Sequence, residues 1–501
     1  MAGIAVIGAG MGAMATAARL AVAGHRVTVY ERSATYGGAV GRYERDGFAF
    51  DTGPGLLHLP AVYRDLFVKT GKRPLEDCVE LVQADPAVRH LLADGTDVRL
   101  PNASRGGVAA VLDEAFGPGA GARWSAVLGR ARDAWDRTRR PLLEEPLWPN
   151  WEVLGRDPYP ALRKSGLLRR RPPTLAEVAE RELGGGPLAS LLTSAVHAYG
   201  LDPATAPASA VVLPYMEHTF GSWTVRGGTR ALATAVYERC RERKVEFAFG
   251  AEVREVVETA GRATGLRLAD GTEVSADAVV CGADPGPLLT PLLPGGRPWP
   301  ETTVPVRRGG TSRITLLLAL RGPRPEDTVH RTVVHSPDLV AEARVSSTGE
   351  HTGRPTVTVL RPDDPATRPD AAHEAVTVSA VCAPQGALDF TDRDLVGRYT
   401  ERLLEAASRA VPELRERLLW HEVRTPADVE AATGATGGVV PPPALAGAEG
   451  RLLYPANTSP LPGLYLAGGW AHPGGGLAHA GMTGALVSGL IVEGADFRGS
   501  Q

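Results

Sequence analysis

Gly8, Gly10 and Ala13 stand at fixed offsets between the apolar run Ile4–Ile7 and an alanine-rich stretch from about Met11 to Ala23, and Glu31 closes the apolar segment that follows. That spacing suits the binding of a dinucleotide. Gly8 allows a tight turn, and Gly10 lets a pyrophosphate approach bare backbone beside Met11 and Gly12. Ala13 keeps helix and strand close. The helix N-terminus then faces the phosphates. Glu31, followed by Arg32, sits where a carboxylate accepts hydrogen bonds from the ribose hydroxyls of an adenosine.

Two histidines could carry protons. His472 and His479 flank a second glycine-rich run, "HPGGGLAHAG", and imidazole exchanges a proton near neutral pH. The alternative is that His472 only positions backbone and His479 only begins the last helix. No Ser/His/Asp, Cys/His or paired-carboxylate arrangement stands out by spacing. Cys78, Cys240, Cys281 and Cys382 are scattered without ligand spacing, so no metal is expected, disulfides are disfavoured and a reducing cytoplasm is the expected compartment.

The elements that must position these groups are legible. A strand at Ile4–Ile7, a helix to about Ala23 capped by Gly24, and a strand "HRVTVYE" form one βαβ unit. Near the C-terminus, a strand from Leu464 to Ala467 runs into a glycine loop and a helix of small residues. A flavin ring needs backbone from distant segments, and such a late helix start can face its pyrimidine edge. FAD is therefore the expected cofactor.

The 501 residues exceed one simple core, and 43% hydrophobic against 22% charged content is that of a globular protein. A net charge of −3 leaves no basic field for nucleic acid. No apolar run reaches the roughly 18 to 20 residues of a spanning helix, and the opening stretch lacks the basic start of a signal peptide.

Four segments together resemble phytoene desaturase-type carotenoid oxidoreductases, within the FAD-dependent amine oxidase-like superfamily. They are the first motif with Glu31; "GFAFDTGPG"; "AYGLDPATAPASAVVLPYMEHTFGSWTVRGGTRALATAV"; and "YPANTSPLPGLYLAGGWAHPGGGLAHAG". The resemblance implies an α/β fold with a Rossmann-type FAD-binding domain, interrupted in sequence (1–75, 225–290 and 445–501), and a second, α+β substrate-binding domain (76–224 and 291–444). It places Gly38, Ala39, Arg42, Gly53, Pro54, Gly55, the backbone of Val253, Gly469, Trp470 and Leu477 at the cofactor. His58 and Trp223 are expected to line the substrate pocket. Relatives commonly carry a basic residue directly after the Gly37–Gly38 pair; here it is Ala39, and Arg42 is the nearest compensating cation.

The activity implied is desaturation of a largely apolar, polyene- or isoprenoid-like small molecule, with hydride passing to flavin N5. An oxidase, dehydrogenase or isomerase acting on an amine-containing or other polar metabolite uses the same scaffold. A non-catalytic prenyl-binding chaperone is the reading from another class. No protein partner is expected. "RKSGLLRRRPP" (163–173) reads either as a solvated loop or as a peripheral contact with anionic lipid.

Overall fold

The structure is a computed structural model that describes residues 1–147, 151–162, 171–284, 310–346, 349–351 and 353–499. The run 163–170 of the basic segment lies outside them.

The apolar residues of Gly3–Ile7 are buried on both faces, so they form the centre of a parallel sheet. Its order is Leu464–Leu466, Ala278–Cys281, Gly3–Ile7, Arg26–Glu31 and Glu246–Phe249, every neighbouring pair parallel. Strands from three distant stretches of chain thus share one ladder. The helix Met11–Val22 lies against this sheet, and the final helix Leu477–Val492 packs on it. Small residues allow that approach. A Cβ on Gly484 would come within 2.8 Å of Ala15, and one on Gly282 within 2.6 Å of the Ala13 Cβ.

A second sheet has seven strands, ordered Leu418–Arg424, Ser312–Arg321, His373–Cys382, Val357–Leu360, Arg331–Val334, Val88–Leu91 and Asp97–Leu100. It is antiparallel apart from the Val88–Leu91/Arg331–Val334 pair. Ile314, Leu316, Leu318 and Leu320 face the helix Arg393–Ala407, whereas Leu317 and Ala319 face Phe48 and Phe50 of the short strand Phe48–Asp51. Burial on both faces explains why "ITLLLAL" shows no polar alternation. The helix ends at Ala407. Pro412 lies just beyond and disfavours helical backbone in the residue before it.

The helices Arg105–Phe116, Ala120–Arg139, Leu175–Leu183, Gly186–His197 and Val212–Phe220 form a separate apolar cluster around Trp124, Leu128 and Leu192. The fold is α/β with a Rossmann-type parallel sheet, as the sequence implies. Among the described residues, no helix is long and apolar enough to cross a membrane.

Candidate functional site

At the start of the first helix, Gly8 turns the chain at φ +84° and donates its amide to the Tyr30 carbonyl at 2.8 Å. Gly10 is the N-cap; no side chain caps the helix and no acidic residue lies in its first turn. A Cβ on Gly10 would find nothing within 4 Å. An open space therefore faces an uncapped, partially positive helix start, which suits an anion. Met11, Gly12 and Ala13 are buried in that first turn. The Cβ of any larger residue at Gly12 would come 2.6 Å from the Gly468 Cα, so Gly12 sets the distance to the C-terminal glycine loop.

Glu31 ends the second strand. Its carboxylate accepts from the amides of Ala9 (2.7 Å) and Ser33 (2.8 Å), and each oxygen keeps a lone pair for a further donor. Val253 opens the strand Val253–Thr259, just past Ala251, whose amide donates to the Glu31 carbonyl at 2.9 Å. Arg32 is turned away and donates to the Ala431 carbonyl at 2.6 Å.

Gly37 and Gly38 cross directly over this start. Gly37 bridges to Gly10 and donates to the Ala9 carbonyl at 2.8 Å. A Cβ on Gly38 would lie 3.1 Å from the Gly10 Cα. Ala39 is exposed, and its carbonyl is 2.2 Å from where a Cβ on Gly53 would be, so Gly53 permits that crossing. Pro54 is exposed, and Gly55 abuts Leu360 of the second sheet. Arg42 donates to the carbonyls of Gly227 (2.9 Å) and Ala366 (3.3 Å) and to Glu44. Arg42, Gly53 and Gly55 border a cavity of about 370 Å³ whose far wall includes Leu360, Ala375 and Thr377.

The C-terminal loop is held by buried polar contacts. Thr483 Oγ1 accepts from the Gly468 amide at 3.0 Å, and Asn457 Nδ2 donates to the His472 carbonyl at 2.7 Å and the Leu466 carbonyl at 3.1 Å. Gly469 and Trp470 are half-buried at the turn. Gly476, exposed and at φ +93°, starts the final helix, again with no side-chain cap, and Tyr63 donates to the Leu477 carbonyl at 2.8 Å.

His472 is fully buried. Its Nε2–H donates to the Glu145 carbonyl at 3.0 Å, and Nδ1 has no hydrogen-bond partner. His479, also buried, lines a gap of about 20 Å³ with Trp135, Leu142, Leu213 and Met216 and with the polar Thr138, Arg139 and Ser209. Burial lowers both imidazoles to about 4, so both are neutral at physiological pH.

His58 lies in a charged cluster rather than in a purely apolar run. Its Nδ1 meets the Gly221 carbonyl at 3.3 Å, and Nε2 is 3.8 Å from Glu217 Oε1. Glu217 also accepts from Arg331 Nη2 (2.8 Å) and the Tyr199 hydroxyl (3.0 Å). Burial would raise the Glu217 carboxyl, but the Arg331 guanidinium, His58 and the Tyr199 hydroxyl together outweigh it and hold the group at about 2. Trp223 pairs with Gln83 and donates Nε1–H to the Phe220 carbonyl at 3.0 Å, with Arg64 over its ring.

Sequence reasoning missed Asp51, which accepts from the Thr229 amide (2.8 Å) and the Arg230 amide (3.3 Å), as well as Arg230, Asn457 and Thr483. Asp51 and Arg230 each stood in a recognised motif, but nothing in either motif announced that the two meet.

A family model described as flavin containing amine oxidoreductase matches residues 14–492. The 4,4'-diapolycopene oxygenase of Methylomonas sp is 28% identical, the match covering 98% of each chain. The hydroxyneurosporene desaturase of Rubrivivax gelatinosus is 29% identical over 97% of this chain and 92% of its own. An oxidoreductase structure from Methanosarcina mazei shares the fold, with a TM-score of 0.63 at 17% identity over 96% of this chain and 98% of that one. The residues present fit FAD: an open, uncapped helix start at Gly10, a carboxylate ending the second strand, and a second uncapped helix start at Gly476.

Proposed function

The chain belongs to the flavin-containing amine oxidoreductase family, and on that premise we propose that it is an FAD-dependent dehydrogenase that introduces double bonds into a largely apolar, polyene-like small molecule. Two relatives aligned over nearly the whole chain are named for carotenoid chemistry. The observation that carries the reading lies beside the final helix start. There Gly476 opens an uncapped helix start, the second beside the one at Gly10, and Gly12 packs on Gly468 between them, the frame a flavin dinucleotide needs.

When bound, FAD supplies the two-electron acceptor. The chain supplies the rest. The backbone at Gly8 to Ala13 and Gly37–Gly38 receives the pyrophosphate, and Glu31 receives the adenosine ribose. Val212, Leu213 and Met216 give the gap beside His479 an apolar side, opposite Thr138 and Arg139. His472 commits its Nε2–H to the Glu145 carbonyl and so holds the glycine loop in place. His479, neutral and lining that gap, is the side chain we assign to accept a proton from substrate.

The same reading divides the chain into a flavin domain (1–75, 225–290 and 445–501) and a substrate domain (76–224 and 291–444). It also includes a peripheral membrane contact. Exposed Val153 and Leu162 precede the basic, leucine-containing run 163–171, as access to a bilayer-dissolved substrate would need. The polar cavity bordered by Arg42, Arg226, Asp364 and His330 favours the second reading, a more polar metabolite.

Anaerobic mixing of the holoprotein with acyclic polyenes tests the proposal. Loss of the oxidised flavin absorption band with formation of a desaturated product is expected. Conversion to an isomer with no change in the band would overturn it.

A further inference from the structure

Ala39 puts no basic side chain directly after the Gly37–Gly38 turn, and Arg42 is engaged elsewhere. Another cation reaches that turn. Arg230, the second residue of the helix Thr229–Glu242, donates through Nη1 to the carbonyls of Tyr36 and Val40 (3.2 Å to Val40) and through Nη2 to Thr35 Oγ1 at 2.6 Å. Its guanidinium carbon lies 4.1 Å from the centre of the Tyr36 ring, and Tyr36 stacks at 4.1 Å on Tyr237 of the same helix.

Three features make this a clamp on the turn. Nη1 alone donates to a carbonyl on either side of Gly37–Gly38 while Nη2 holds the Thr35 hydroxyl, so one rigid, planar guanidinium spans three groups of the turn. The packing is close enough that a Cβ on Gly37 would sit 2.6 Å from Nη1. The clamped turn is also the one that bridges Gly10, at the open helix start. A cation in the first turn of a helix is opposed by the helix dipole. Its presence there is offset by Asp51, whose carboxylate receives the Thr229 and Arg230 amides.

We propose that Arg230 is a positioning residue that sets flavin affinity: by holding the Tyr36 and Val40 carbonyls it keeps the Gly37–Gly38 turn formed against Gly10 before the pyrophosphate arrives. The proposal rests on the FAD assignment and adds a residue and a role to it.

The test compares wild type, Arg230→Met and Arg230→Lys as flavin-stripped full-length protein titrated with FAD and, separately, with ADP, which carries the pyrophosphate but no flavin ring. Arg230→Met should raise both dissociation constants by roughly ten- to a hundredfold, as loss of charge-assisted hydrogen bonds implies. Arg230→Lys should fall between. A lowered apoprotein melting temperature with both affinities unchanged would mean a merely structural role and overturn the proposal. If Arg230→Met does not fold, Thr35→Val removes only the hydroxyl that Nη2 engages. A severalfold loss of both affinities then supports the clamp, and wild-type affinities overturn it. Wild-type protein that takes up no FAD would overturn the cofactor assignment as well, an outcome distinct from any loss confined to variants.

Discussion

Asp51 Oδ2 accepts a hydrogen bond of 2.8 Å from the backbone amide of Thr229, a residue 178 positions away. The "FDTGPG" segment thereby caps the helix that begins in "GGTRAL", joining two motifs as one unit. Burial holds the Asp51 carboxyl above the usual carboxylate range, while the two amides oppose that shift. Asp51→Ala should cost about 1–2 kcal/mol, the range for a lost cap, and release flavin at lower urea. Asp51→Asn, which keeps an acceptor and removes the buried charge, should cost less. Urea unfolding followed by flavin fluorescence reads both, and equal losses would contradict the capping account.

Gly10 and Gly12 should respond in opposite ways. A side chain at Gly10 enters open space at an ordinary φ of −72°. Gly10→Leu should therefore give folded but colourless protein, with a circular dichroism spectrum close to that of the wild type. Gly12→Ala meets the Gly468 Cα at 2.6 Å and the Ala480 carbonyl at 2.7 Å. It should lower the melting temperature even without flavin, because backbone on both sides must shift. A yellow Gly10→Leu protein would remove the pyrophosphate from this position.

Glu217 and Arg331 should show strong coupling. Both side chains are largely buried, at 15% and 16% exposure, and the ion pair connects the helix Val212–Phe220 to the second sheet. Arg331→Met leaves a buried carboxylate without its cation, a loss on the order of 3–5 kcal/mol. Adding Glu217→Gln to it should recover part of that loss. A double-mutant cycle by chemical denaturation measures the coupling, and simple additivity would contradict the pairing.

Acid should destabilise the protein through its buried histidines. His330, His335, His472 and His479 are each lowered to about 4, chiefly by burial. With folded values below the unfolded imidazole value near 6.5, the unfolded chain binds more protons as pH falls. The stability they contribute is complete above about 6.5 and is lost progressively toward 4. Melting temperatures taken from pH 7.5 to 4.5 should fall, and His472→Gln should flatten part of that fall. An unchanged slope in His472→Gln would mean that this imidazole is not the neutral group described here.

A fragment ending at residue 224 should not fold into a flavin-binding unit. It retains only Gly3–Ile7 and Arg26–Glu31 of the five parallel strands and lacks the flanking Ala278–Cys281 and Glu246–Phe249. Two exposed parallel edges remain, with unpaired backbone groups. Expression of residues 1–224 should give insoluble or colourless material, and a soluble yellow fragment would contradict this.

The sequence by itself determined what local chemistry dictates. The offsets of Gly8, Gly10 and Ala13, the carboxylate closing the second strand and the small-residue final helix each follow from steric needs within a few residues. Only the tertiary structure decided which distant groups meet. Arg32 and Arg42, near the cofactor by sequence position, are drawn off by the carbonyls of Ala431, Gly227 and Ala366. Arg230, which no spacing placed there, grips the Gly37–Gly38 turn. His58, expected to line the substrate pocket, lies beside Glu217, which also pairs with Arg331. Glycine spacing and strand period are set by contacts within one turn or one ladder step, so they leave a pattern in the sequence. Side-chain pairing across 150 residues or more depends on how whole elements pack and which polar groups must find partners once water is excluded, and that leaves no periodic trace.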